Sequence, residues 1–353
     1  MEQTNLIPPA QQPKSGRVIY LDCLRIFAAF AVVMIHTCAL KWHAVEYTSP
    51  KFFAFNLYDA GVRWAVPVFI MISGAFLLDN SKPLTLAKLY KKQMFRILTA
   101  LIFWSLAYAV YYSVRGGETS RQFWERFLYG HFHLWYLYML IGLYIIAPLL
   151  RKITADTKAT RYFLLVAFVL TLLIPDLLQI PALSILTNTY RKLNYHFTMG
   201  HVIYFVLGYY LTHTEIPKKY NKWIYLGGII GYFTIMLGTL HLAQVHGDQT
   251  DQLYNIISVP VFLEATAVMV FFKNRKFNMS ERMQSLVFKL SKYSFGVYLC
   301  HIFVRNAFNS HGIHTAVGNA YITVPVLCVA VFLISYVISF VLNQIPIVKK
   351  YLV

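Results

Sequence analysis

The sequence predicts an all-α polytopic membrane protein: about ten transmembrane helices enclosing a polar cavity, with both termini cytoplasmic. Three observations predict it. Of 353 residues, 58% are hydrophobic and 13% charged, whereas soluble domains carry roughly a quarter charged residues. Apolar stretches of spanning length recur along the chain, which has a mean hydropathy of +0.52. The basic residues also alternate from loop to loop, as they do when cytoplasmic loops retain Lys and Arg.

Residues 1–16 contain Pro8, Pro9, Pro13 and Gly16 with little apolar content, and are predicted to form a disordered cytoplasmic tail. Residues 17–353 are predicted to form a single transmembrane domain. Its helices are placed near 18–40, 62–79, 95–114, 134–150, 160–179, 198–213, 223–243, 253–272, 293–309 and 321–343. The first is too long for a signal-peptide core and lacks a small-residue cleavage site, so it is kept as a span. No internal repeat is visible, which counts against repeat-built transporters.

With the N terminus inside, 23 of the 32 Lys and Arg residues fall on the cytoplasmic side. The other nine are Lys41, Lys51, Arg63, Arg115, Arg121, Arg126, Arg191, Lys192 and Arg305. This asymmetry accounts for the net charge of +18, and no nucleic-acid partner is implied. Cys23, Cys38, Cys300 and Cys328 lie in apolar stretches without pairing or metal spacing, and read as small core residues. No histidine pair has metal-ligand spacing on a helix that also offers acids, so no metal is implied.

His43, His131, His133, His196, His201, His241, His246, His311 and His314 fall in or beside the outer loops, with the aromatic run HFHLWYLY at 131–138. Headgroup-level anchoring explains most of them. His133 and Trp135 are the candidates for a hydrogen-bonding vestibule that takes a sugar-like ligand.

The segment from Arg17 to Leu40 carries the sharpest signal. It is long enough to cross a bilayer yet contains Asp22, Arg25 and His36. Ionisable groups inside a span are costly and face a polar interior by default. Arg25 and His36 are eleven positions apart, and at about 100° and 1.5 Å per residue they share one helix face, roughly 16 Å apart. Arg grips phosphate bidentately and keeps its charge. Neutral His can take a proton from a hydroxyl near working pH. The bland alternative pairs Arg25 with Asp22, one turn away, and makes His36 a core residue; sharing one face favours the functional reading. Further candidates are Ser73 beside Gly74 in the second span, Glu264 as the one acid well inside a late span, and His301 in the ninth. Gly74 reads as a packing residue, whereas the role of Ser73 stays open. Glu264 needs a partner, either an oriented histidine or a buried Arg or Tyr.

The motifs YLDCLRIFAAFAVVMIH (20–36), with its Arg-x10-His spacing, and VPVFIMISGAFLL (66–78) resemble the acyltransferase-3 family of bacterial membrane O-acyltransferases. HLWYLYMLIGLYIIAPLL (133–150), FVLGYYL (205–211) and KYSFGVYLCHIFV (292–304) follow in family order. The chain looks most like short members without an extracellular domain, such as the enterobacterial-common-antigen acetyltransferases. The resemblance implies a multi-pass protein of the bacterial inner membrane. It would transfer an acyl group, usually acetyl, from cytoplasmic acetyl-CoA to a hydroxyl of an envelope polysaccharide or lipid-linked glycan. Arg25 and His36 would be the essential pair, with His36 as base or acyl carrier. Lys91, Lys92 and Arg96 would help hold the CoA phosphates, although positive-inside topology explains that cluster equally well. The family's Arg-x-x-Arg reads Gln93-Met-Phe-Arg96 here.

The competing function is a glycan or small-anion transporter that uses Arg25, His36 and Glu264 as a buried relay. A membrane-bound sensory module ranks last, because no additional domain is visible.

Overall fold

A computed structural model describes residues 18–116, 119–192 and 199–353. The predicted tail 1–16 and His196 lie outside the described residues. Among the described residues the chain is helical, without a strand. The helices are α1 (Ile19–Ala39), α2 (Pro50–Ala60), α3 (Ala65–Leu77) and α4 (Leu86–Gly116). Next come α5 (Ser120–Tyr129), α6 (Trp135–Thr154), α7 (Thr157–Leu177) and α8 (Met199–His213). The chain continues with α9 (Asn221–His246), α10 (Val259–Asn274), α11 (Glu281–Ser310), α12 (Ala320–Leu342) and α13 (Pro346–Tyr351).

Local sequence explains several of the helix starts. Ser49 accepts from the Phe52 amide and is followed by Pro50, which needs no hydrogen bond at the first helical position. Thr119 and Gln122 form a reciprocal capping box at the start of α5. The Ser280 and Asn319 side chains accept from the Met283 and Tyr321 amides at the starts of α11 and α12. α5 ends at Gly130, whose φ of +72° suits glycine and turns the chain into the strap 131–134 ahead of α6.

Among the described residues, eight helical stretches are long and apolar enough to cross a membrane. Two predicted spans are not among them. The one at 198–213 is α8, only 15 residues long. The one at 293–309 is the second half of α11, which buries Ser291, Ser294, His301 and Arg305 within the bundle. A helix surrounded by protein can carry polar groups that a lipid-facing helix cannot. Hydropathy therefore understates it.

α1 packs against α2, α3, α11 and α12 and is central to the bundle. Ser291 of α11 meets Asp22 and Arg25 near the start of α1, and Arg305 of α11 reaches the His36 carbonyl near its end. The two helices therefore run parallel. α3 and α8 approach closely through paired glycines, as expected for Gly74. A Cβ on Gly74 would lie 1.8 Å from the Phe205 carbonyl oxygen, and one on Gly208 would lie 2.0 Å from that of Met71. At the end of this pair His213 Nε2 lies 3.6 Å from Asp79 Oδ1. Burial raises the Asp79 pKa, but bonds from the Ser81 hydroxyl and amide and from Lys82, followed by the electrostatic effect of His213, outweigh it and hold the carboxyl below its ordinary value.

Candidate active site

The sequence placed a cation and an imidazole on one face of α1, and the structure gives that face a hollow. A chamber of about 160 Å³ is lined by Arg25, Val32 and His36 from α1, facing Ser73, His133, Trp135 and Tyr136. Ser294, Phe295 and Tyr298 of α11 close it. A second, larger pocket of about 450 Å³ is lined by Arg25, Lys92, Arg96 and Lys292. The two share Arg25, Leu140, Ser294 and Phe295. Arg25 thus stands where a cationic antechamber meets the chamber that holds His36.

Arg25 is held in place there. Its Nη1 lies 3.0 Å from Ser291 Oγ and 3.3 Å from Asp22 Oδ1. Ser291 also donates to Asp22 Oδ1. The pairing with Asp22 expected under the bland reading is real, yet it leaves the guanidinium lining both hollows. Asp22 is 4% exposed, and a carboxylate so placed is tolerated because two donors meet it.

Several features of the antechamber were not legible from spacing alone. Leu89–Met94 forms a π turn at the start of α4, a feature frequent at functional sites. It brings Lys92 and Gln93 to the wall, whereas Lys91 is exposed and does not line the pocket. Gln93, standing where the family pattern has Arg, has a buried Oε1 without a hydrogen-bond partner among the described residues. Arg96 lines the pocket and donates to the Val353 carbonyl.

Around His36 the structure gathers more imidazole than the spacing predicted. Ring centroids lie 5.1 Å from His301, 6.2 Å from His133 and 5.3 Å from Phe132. His301 is fully buried and supports the chamber from behind rather than lining it. The backbone carbonyl of His36 accepts from Arg305 Nη1 at 3.0 Å. Arg305 also bonds Asn306, whose Nδ2 donates to Tyr112 at 2.8 Å, and Tyr112 lies 3.2 Å from His131 Nε2. The strap carrying His133 is clamped by Tyr298, which donates to the His133 carbonyl at 2.6 Å. Arg305 was visible in the sequence as a charge four residues after His301, though it was assigned to the outer loops. Ser291 gave no sequence signal, and Ser294 and Tyr298 were visible only as members of the 292–304 motif.

Ser73 lines the chamber, and its hydroxyl donates to the Phe69 carbonyl at 3.0 Å. Trp135 also lines the chamber and leans on His201 with centroids 5.4 Å apart. Glu264 is not brought to this site. It lines a separate groove of about 910 Å³ with Phe27, Trp64 and Tyr232. Phe27 is two residues from Arg25, about 200° round the helix, so groove and chamber lie on opposite faces of α1. Arg25, His36 and Glu264 do not form one relay. Among the described residues no group of three or more His, Cys, Asp or Glu side chains could hold a metal ion.

These features define a multi-pass, all-helical membrane protein with a polar site built inside its bundle. The chain belongs to the acyltransferase-3 family, whose acyltransferase domain matches residues 18–343, and it is a membrane acyltransferase. No curated protein and no solved structure matches it.

Proposed function

We propose that this protein transfers acetyl from cytoplasmic acetyl-CoA to a hydroxyl of an envelope polysaccharide or its lipid-linked precursor, in the inner membrane of a bacterium. The observation that carries the reading is Arg25 lining both the cationic antechamber and the chamber of His36. CoA phosphates would meet Lys92, Arg96 and Lys292, and the pantetheine arm would pass Arg25 to place the thioester near His36. The acceptor hydroxyl would approach His36 by way of His133 and Trp135. His36 takes the hydroxyl proton as the oxygen attacks the thioester carbonyl, and the departing CoA thiolate is then protonated. An acyl-imidazole on His36 is the covalent variant of the same chemistry. Because a thioester is already activated, positioning and one base supply the main part of catalysis. A chamber of about 160 Å³ suits a two-carbon acyl group, being below the roughly 300–1,000 Å³ of drug-sized ligand sites.

Ten crossings with both termini cytoplasmic fit this reading. Parallel α1 and α11 require an odd number of crossings between them. Six of the apolar stretches lie in that interval, and counting α8 as a crossing makes seven. The antechamber cations then fall on the cytoplasmic side, where acetyl-CoA is found.

The test is transfer of label from radiolabelled acetyl-CoA to envelope glycan by purified wild type and His36→Ala. We expect a loss of about 10²- to 10⁴-fold in a variant that stays folded. Retained turnover in the folded variant removes His36 from the reaction. Labelled protein in the absence of acceptor supports the covalent variant.

A further inference from the structure

The reaction above uses one imidazole, yet two more sit buried beside it. His301 Nδ1 lies 2.7 Å from the Tyr298 carbonyl and 3.2 Å from that of Val297. Carbonyl oxygens only accept, so Nδ1 carries the proton and Nε2 carries the lone pair. That Nε2 is buried with no hydrogen-bond partner among the described residues, in a side chain that is 0% exposed. Orphaned buried acceptors are costly, and in native proteins they mark a function or a missing partner. Nδ1 bonds back to its own helix, so Nε2 points away from α11, on the side where α1 packs. The His36 ring stands there with its centroid 5.1 Å away.

We propose that His301 is the positioning residue for His36. With a small rotation of either ring, His301 Nε2 accepts the N–H of His36. This holds His36 in the tautomer whose other nitrogen, facing the chamber, bears the lone pair that takes the acceptor's proton. It also supports the imidazolium that forms, as the third group of a catalytic triad does. The Arg305 bond to the His36 carbonyl fixes the same turn of α1 from the backbone side. His133 also has a buried Nε2 without a hydrogen-bond partner among the described residues, but its ring is farther from His36, at 6.2 Å, and its Nδ1 is engaged by His131 at 2.8 Å. The other titratable or charged groups near His36 are Arg63, His131 and Arg305, with Tyr298 in the same chamber wall and Tyr108 one ring further out, against His133. None offers a lone pair on an imidazole as close.

This inference rests on the acetyl-transfer reading, and the experiment separates the two. Wild type, His301→Leu and His301→Gln are purified in detergent and assayed with labelled acetyl-CoA and envelope glycan across pH 5–9. Stabilisation by acetyl-CoA, read as a thermal shift, reports whether each variant is folded and binds donor. We expect kcat of His301→Leu to fall about 10- to 100-fold, as for loss of a partner that orients a functional histidine. KM for acetyl-CoA should stay within about twofold, and the acid limb of the pH–rate profile should shift. His301→Gln, whose amide oxygen can accept from His36, should recover to within about tenfold of wild type. Wild-type turnover and an unmoved acid limb in the Leu variant overturn the role of His301 alone. So does a Gln variant as slow as Leu, or a loss confined to thermal stability. Absence of acetyl transfer by the wild type overturns both readings.

Discussion

Arg25→Lys is the most informative perturbation of the proposed donor path. One Nη1 of Arg25 serves Ser291 at 3.0 Å and Asp22 at 3.3 Å, while the guanidinium as a whole lines two hollows. Lysine keeps the charge but presents a single nitrogen on a differently shaped stem, so it can satisfy Asp22 or reach a ligand but not do both with fixed geometry. A hydrogen bond to a charged group contributes about 1.5–3 kcal/mol. The Arg25 side chain is 28% exposed, which places the expected loss toward the lower part of that range. At roughly 1.4 kcal/mol per decade, KM for acetyl-CoA should rise about 10- to 50-fold. Donor saturation curves together with the acetyl-CoA thermal shift measure it. Unchanged KM and an unchanged ligand-induced shift would refute the argument. A fall in melting temperature alone would reduce Arg25 to the structural partner of Asp22.

Two predictions concern the scaffold. Gly208→Ala puts a methyl 2.0 Å from the Met71 carbonyl oxygen, so α3 and α8 must separate, at a cost of about 1–3 kcal/mol. A lower melting temperature in detergent is expected, and an unchanged one would contradict the close approach. Asp79→Asn should destabilise the protein near neutral pH, because the folded carboxyl titrates below its unfolded value. Its contribution is present above the unfolded value of about 4 and disappears as pH falls through the folded one, so the two melting temperatures should converge in acid. Curves that stay parallel down to acid pH would show that Asp79 acts through packing alone.

Hydropathy and the eleven-residue interval between Arg25 and His36 determined, without any structure, that this is a helical membrane protein with a polar face on its first span. They did so because bilayer thickness and helix pitch are constants that one segment expresses by itself. Partners of that face could not be read the same way. Ser291 is an ordinary residue until parallel packing of α11 sets it beside Arg25, 266 positions away. The depth of Glu264 was legible, but the side of α1 it occupies was not, because periodicity orients a residue on its own helix and says nothing about which neighbour faces it. Hydropathy also understated α8 and α11, since it measures preference for lipid and α11 is largely wrapped in protein. The inner site is a meeting of segments from both ends of the chain, and only tertiary packing decides such meetings.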